Sequence, residues 1–285
     1  MAIKHELQAV ISAFFDVDIS RITLWRKLNG CNYIYSFYVN SEKYVIRKFK
    51  PPHPNTVTAE RAAYAALKSL GVTDEVLYLD DTGTKITRYI EGVHLGYGEQ
   101  DQEDSINLLR NVHERAPAIQ YSYDIFGSIN YWASLCWKPN SQNLKALCEY
   151  QSEIDAIKIK LDSMNITPVL CHGDPCVNGN MLRQENGSIR IIDWEYSGMA
   201  DPFMDLALAS VHQGFENMDP FKTLERYLRR KPTQDETYRL KAYITLGTLE
   251  LAAWQINELS VEEFQEWLTP SFEPFGLFGL SKFDT

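Results

Sequence analysis

The spacing of apolar residues along this chain changes character once, near Ile90, and that change limits the fold more than any other feature. Upstream, residues 22–49 hold three runs rich in β-branched and aromatic residues, ITLWRKL, NYIYSFYV and KYVIRKF. Asn29-Gly30 and Asn40-Ser41-Glu42 separate them, and strand-forming runs divided by turn residues read as an antiparallel meander. Residues 75–79 and 84–89, joined at Asp80-Asp81-Thr82-Gly83, supply two further strands. Leu7, Val10, Ile11 and Phe14 recur at helical spacing ahead of the meander, and a second helix beginning near Thr56 follows it. Past Gly92 helical spacing takes over, across residues 101–114, 125–135, 144–161, 202–212, 220–230 and 235–259. The expected class is α+β. Residues 1–91 should form an N-terminal antiparallel five-stranded sheet with a helix, residues 92–285 a mainly helical unit, and a ligand cleft should lie between them.

Composition narrows the partners. The 38 acidic against 28 basic residues leave a formal charge of -10, which argues against nucleic acid, because phosphate backbones are held by clustered Lys and Arg. The same balance suits a small cationic substrate. Cys31, Cys136, Cys148, Cys171 and Cys176 are odd in number and lack metal-ligand spacing, so reduced thiols and a cytoplasmic setting are expected. The first fifteen residues lack a signal-peptide core, and no apolar window is long enough to insert into a membrane.

The chemistry gathers in residues 169–206, VLCHGDPCVNGNMLRQENGSIRIIDWEYSGMADPFMDL. An apolar run at 169–171 feeds a polar knot of His172, Asp174, Asn178 and Asn180, and a second run, 189–192, stops on Asp193. These read as two short strands of one hairpin. Carboxylates and amides delivered together suit a hard cation such as Mg²⁺, although a plain hairpin with solvated turns has the same pattern. On the third strand of the meander, alternation puts Arg47 and Lys48 on opposite faces, so one of them points beneath the sheet. Glu60 follows early in the next helix. Alone it reads as a solvated residue; with a strand cation it matches the way kinase-type folds hold a basic group over nucleotide phosphates. The turn at residues 28–32 has one glycine, a weak signal for a phosphate loop, and reads better as a plain hairpin. His113, alone on a helix, reads as a packed structural residue. Glu250 and Trp254 share a helix face, and Trp267, Phe272, Phe275 and Phe278 make an aromatic tail that suits core packing or a cage for a quaternary ammonium.

Together, CHGDPCVNGNML at 171–182 and IDWEYSGMADPFMDLA at 192–207, supported by YVIRKF, ERAAYAAL and ITRYIEG upstream, resemble the choline kinase and aminoglycoside phosphotransferase superfamily. The likeness runs in order over most of the chain, and IDWEYSGMADP looks most like bacterial choline kinases. The resemblance implies a protein-kinase-like two-lobed fold, ATP and Mg²⁺ as cofactors, and transfer of the γ-phosphoryl group to the hydroxyl of a small amino alcohol, choline first. By the same resemblance Asp174 is the catalytic-loop aspartate and Asp193 binds the metal. Arg47 takes the place of the phosphate-pairing cation with Glu60 as its partner, and Asp205, with His172, supports the catalytic loop. Asn32, Tyr89 and Ile90 fall beside the nucleotide. Trp254, Tyr196, Glu195 and Trp267 are candidates for the acceptor's ammonium group. The family places its metal-binding asparagine five positions after the catalytic aspartate, where this chain has Gly179. Asn180 is preferred over Asn178 because the apolar pair Met181-Leu182 follows it. Other acceptors, namely ethanolamine, thiamine or an aminoglycoside, stay open, as does a non-catalytic kinase-like binding module, which the displaced asparagine favours.

Overall fold

Alternating burial along the third strand sets the architecture: Ile46 and Arg47 are both buried, on opposite faces of one sheet. The computed structural model describes residues 2–28, 32–50, 57–138, 141–214 and 216–268. Helix α1 (Ala2–Phe15) leads to strands β1 (Ile22–Lys27), β2 (Tyr33–Val39) and β3 (Glu42–Lys48). The two-residue turn between β2 and β3 holds Asn40 and Ser41 at φ of 51° and 70°, the mirror-image turn that matches the twist of a hairpin. Helix α2 (Val57–Leu67) precedes β4 (Val76–Leu79) and β5 (Lys85–Arg88). The strands form the five-stranded antiparallel sheet the sequence led us to expect, in the order β1-β2-β3-β5-β4. On one face Phe37, Ile46 and Ile86 pack with Leu7 and Ile11 of α1. On the other, β3–β5 pairing sets Arg47 directly opposite Lys85. Lys48, on the outer face, pairs with Glu6.

Strand β6 (Val93–His94) opens the second part of the chain, followed by α3 (Glu99–Arg115), α4 (Ile125–Ser134), α5 (Gln142–Glu149) and α6 (Gln151–Ser163). Then come β7 (Val169–Cys171), the single turn α7 (Val177–Asn180), β8 (Met181–Arg183), β9 (Ile189–Ile191) and β10 (Gly198–Ala200). Helices α8 (Pro202–Gln213), α9 (Pro220–Leu228), α10 (Gln234–Trp254) and α11 (Val261–Leu268) complete the described chain. Asp201 and Asp219 cap α8 and α9, each with proline in the first turn, and Thr233 with Glu236 forms a capping box on α10. Leu206, Leu208, Leu246 and Leu249 from α8 and α10 share a core with Ile106 and Leu109 of α3. Ala63 and Leu67 of α2 belong to that same core, so α2 ties the sheet to the helices. Among the described residues no helix is long and apolar enough to cross a membrane.

Three expectations change. The strand runs at 169–171 and 189–192 are not partners: β7 pairs with β10, while β9 pairs with β8 in a sheet extended by β6. Three-residue strands carry too few alternations to specify a partner, and the polar loop between them winds into α7 instead of turning back. β6 itself interrupts the helical region. The helix expected over residues 144–161 is two helices meeting at Tyr150, which has φ -86° and ψ 0°. Leu147, Ile154, Ile157 and Leu161 stay on the buried side across that bend, so their spacing conceals it. Residues 29–31 of the first turn and Phe272, Phe275 and Phe278 lie outside the described residues.

Ile46→Ala removes a fully buried side chain from the middle of the sheet, and the expected cost is about 2–5 kcal/mol. Urea unfolding of the variant beside the wild type measures it.

Candidate active site

Arg47 and Lys85 are like charges directly opposed on neighbouring strands, an arrangement that repels unless an anion is placed between them. Glu60 of α2 is that anion. It accepts from Arg47 Nη2 at 2.6 Å through one oxygen and from Lys85 Nζ at 2.8 Å through the other, with all three residues buried. Lys85 also donates to the Tyr64 hydroxyl at 2.8 Å, which in turn donates to Asp74 at 2.8 Å. Arg47 Nη1 reaches Asp193 Oδ1 at 2.9 Å and Glu195 Oε2 at 3.0 Å. Burial works against the charge on Glu60, but Lys85 and Arg47 outweigh it and hold the carboxyl below its ordinary range. Asp193 is lowered in the same way: burial opposes its charge, and Arg47, Lys85 and His172 prevail. The guanidinium is correspondingly raised, since Glu60, Asp193 and Glu195 overcome its own desolvation. Its Nε is buried with no hydrogen-bond partner among the described residues.

The loop after β7 is built around Asp205, which α8 presents fully buried. Its Oδ2 accepts from His172 N at 2.7 Å and its Oδ1 from Gly173 N at 2.9 Å, and His113 Nε2 lies 3.0 Å away. Burial opposes the Asp205 charge, yet these partners hold its carboxyl below the usual range. His172 Nδ1 accepts from Asp174 N, which leaves Nε2 to donate to Ile192 O at 2.9 Å and stitch this loop to the one carrying Asp193. Gly173 sits at φ +82°, where a Cβ would lie 2.1 Å from Tyr196 O, so no other residue fits. Asp193 itself is left-handed at φ 68°, a conformation aspartate tolerates better than most.

Asp174 emerges from this frame with both carboxylate oxygens engaged. Oδ1 lies 2.8 Å from His212 Nδ1, and Oδ2 accepts from Asn180 Nδ2 at 3.2 Å. Asn180 also donates to Asp174 O at 2.8 Å, whereas Asn178 turns away to the Tyr97 hydroxyl at 2.6 Å. Two cavities meet here. One of about 590 Å³ is lined by Arg47, Lys85, Tyr89, Ile90, Asn180 and Asp193. The other, of about 370 Å³, takes in Asp174, Tyr196, His212, Glu250 and Trp254, and again Asn180 and Asp193.

Of the residues singled out by sequence, Arg47, Tyr89 and Ile90 line the larger cavity, Asn32, Asp174, Glu195, Tyr196 and Trp254 the smaller, and Asn180 and Asp193 both, while Glu60, His172 and Asp205 line neither. Asn32, expected beside a nucleotide with Tyr89 and Ile90, lines the smaller cavity and donates to Glu195 Oε2 at 2.8 Å. Glu195 is buried against Arg47, Tyr196 and Trp254 line the smaller cavity, and the Trp267 side chain lies outside the described residues. Sequence reasoning missed Lys85 and His212, and did not bring Tyr123 or Trp132 to the smaller cavity. Strand register would have put Lys85 beside Arg47, and His212 follows Asp205 by seven residues, two helical turns on one face. His113, read as structural, packs as one: Nδ1 meets the Tyr227 hydroxyl at 2.9 Å while Nε2 faces Asp205.

The model of a phosphotransferase enzyme family matches residues 32–240. Two curated relatives, both called Protein LicA and both from Haemophilus influenzae, are 28% identical over 182 residues, or 59% of this chain. The match spans 66% and 52% of their respective lengths, less than two thirds of either. Among solved structures, choline kinase LicA from Streptococcus pneumoniae superposes with a TM-score of 0.77 at 18% identity, covering 97% of this chain and 99% of that one. A choline/ethanolamine kinase family protein from Mesorhizobium loti gives 0.71 at 21% identity, covering 97% and 95%. A microcompartment-associated aminopropanol kinase gives 0.68 at 19%, covering 94% of each chain. At these identities the structural likeness establishes the fold.

Glu60→Gln leaves two buried cations facing each other without their shared anion, and the expected loss is about 3–5 kcal/mol at neutral pH. Because the folded carboxyl is depressed from its ordinary 4.5, its contribution is complete above that value and disappears as pH falls through the folded one. The gap between variant and wild type in urea unfolding should therefore narrow at acid pH. An equal gap at pH 7 and pH 3 would contradict the assignment.

Proposed function

The chain belongs to the phosphotransferase enzyme family, and from that premise we propose that it transfers the γ-phosphoryl group of ATP to the hydroxyl of a small amino alcohol, with choline as the first choice. The observation that carries this reading is the meeting of two cavities at Asn180 and Asp193, with Asp174 on the acceptor side. Phosphoryl transfer needs two reactants brought end to end with their charge neutralised, more than it needs covalent chemistry. The larger cavity takes the nucleotide. Its base lies along the connector at Tyr89 and Ile90, and its phosphates face Arg47, whose unpartnered Nε offers a donor to a phosphate oxygen. Lys85, which the sequence did not single out, brings a second cation to the same wall.

Asp193 and Asn180 would hold Mg²⁺. The donor set fits: a carboxylate below its ordinary range, and an amide whose nitrogen is committed to Asp174, leaving its carbonyl oxygen as the available ligand. When bound, the metal supplies positive charge to the phosphates. Asp174 orients the acceptor hydroxyl and receives its proton. The displaced asparagine, the feature that favoured a non-catalytic module, lies beside Asp174, which supports the enzymatic reading.

On the acceptor side Tyr123, Trp132, Tyr196 and Trp254 present aromatic surface to a cavity that also holds Glu250, a setting for an ammonium group. Burial raises the Glu250 carboxyl, and the Tyr123 hydroxyl donates to it. That carboxyl supports a second reading, a primary amino alcohol such as ethanolamine, because only an ammonium with N–H groups can hydrogen-bond to it. A cytoplasmic setting, where ATP is available and Cys136, Cys148, Cys171 and Cys176 stay as free thiols, suits either acceptor.

A coupled assay of ADP release over choline, ethanolamine, aminopropanol, thiamine and an aminoglycoside tests the proposal. Choline should give the highest kcat/KM, Asp174→Asn should lower kcat by about 10²–10⁴-fold, and Trp254→Ala should raise the KM for choline alone. Nucleotide binding without turnover of any acceptor defeats the reading.

For the metal, Asn180→Ala should abolish Mg²⁺-dependent turnover while Asn178→Ala retains most of it. The reverse result would transfer the ligand role to Asn178.

A further inference from the structure

Helix α8 meets the catalytic loop near its start through Asp205, which supports the backbone, and near its end through His212 and Gln213, whose Nε2 donates to Cys176 Sγ at 3.2 Å. Seven residues after Asp205, on the same face of the helix, His212 sets Nδ1 at 2.8 Å from Asp174 Oδ1. The backbone of His172 and Gly173 is thus fixed by the start of α8, and the carboxylate of Asp174 by its end. Since Asn180 occupies Oδ2, the carboxylate is tied at both oxygens, and rotation about its last torsion is blocked.

We propose that His212 is a positioning residue for Asp174, holding the carboxylate in the orientation that receives the acceptor hydroxyl. This rests on the kinase reading of the site. Asp174, Asp193, Glu195 and Glu250 all line one cavity of about 370 Å³. Arg47 serves Asp193 and Glu195, and Glu250 accepts from Tyr123, whereas the cationic partner facing Asp174 is His212. Asp174 from the loop and Glu250 from α10 act on the imidazole, and Cys176, Tyr123, Asp193, Glu195 and Tyr196 are the other ionisable groups lining the cavity. Burial disfavours the imidazolium, but Asp174 and then Glu250 outweigh it, so the ring is raised from its ordinary value. To donate to a carboxylate, Nδ1 must carry a proton, which both the imidazolium and one neutral tautomer satisfy. The contact therefore survives deprotonation, and its role is geometric.

Asparagine places its amide nitrogen where histidine has Nδ1, and leucine offers no donor there. His212→Leu should lower kcat about a hundredfold, the scale of an ångström-sized misplacement, with the KM for ATP and the thermal midpoint near wild type. His212→Asn should recover most of that loss. Undiminished kcat in the leucine variant, or equal impairment of both variants with midpoints intact, overturns the proposal. The contact has a readout independent of turnover: by NMR the His212 imidazole should titrate above the ordinary range and move down in Asp174→Asn. An unmoved midpoint overturns it as well. Wild-type protein that phosphorylates no acceptor would defeat the kinase reading alone, with the imidazole titration still deciding the contact.

Discussion

Two cations set side by side on adjacent strands are tolerable only because Glu60 divides its two oxygens between them, and the rest of the site depends on that arrangement. Glu60 brings α2 against the sheet. Arg47, held from behind, extends its other terminal nitrogen to Asp193 and Glu195, which lie on the far side of the cleft. One guanidinium thereby connects the sheet, α2 and the loop after β9. Asp193 can occupy its left-handed conformation because the strain, on the order of 1–3 kcal/mol, is small against a buried ion pair with several partners. Pairs of this kind contribute more to placing residues than to net stability, since desolvation consumes much of the Coulombic gain.

What sequence could reveal follows from which interactions are local. Strand alternation separated Arg47 from Lys48 correctly: the first is buried and the second reaches Glu6 at the surface. The Met181-Leu182 pair that pointed to Asn180 begins β8, where both side chains are buried and anchor the end of the loop, bringing Asn180 back beside Asp174. The five-stranded sheet was legible because each of its hairpins is short and its runs are distinct. Lys85 was not, because its significance is a register relation between strands far apart in sequence. That Asn32 lines the smaller cavity was not legible for a similar reason: its neighbour Glu195 is 163 positions away. The pairing of β7 with β10 depends on packing against α8 and leaves no trace in strands of three residues.

The loop after β7 is organised as rigid backbone with one carboxylate left to face a ligand. Asp205 satisfies two consecutive backbone N–H groups, Gly173 supplies a conformation in which Tyr196 O can approach, and His172 bonds across to Ile192 O. Each of these contacts belongs to backbone or to a ring with a fixed tautomer, so little freedom remains upstream of Asp174. Preorganisation of this kind is what a reaction with a loose transition state requires, since its rate depends on alignment and on charges already in position.

Charge balance bears on the proposal that such a cleft takes a divalent cation. Glu60, Asp193 and Glu195 outnumber Arg47 and Lys85, and Asp74 lies behind them with a carboxyl that burial pushes up. A polyphosphate approaching this wall without metal meets a net negative cluster, whose cations are already engaged by carboxylates. Asp193 is the residue that would hold a divalent ion in the proposed reading, and the positive charge supplied there would offset the excess of carboxylates where the two cavities join. Glu60 suppresses the repulsion between the strand cations, and by accepting from both it also reduces the positive charge they present to the cleft. The same logic separates the chambers, because the smaller one, rich in carboxylates and aromatic faces, favours a cation, as the proposed acceptor requires, while Arg47 and Lys85 line the larger one.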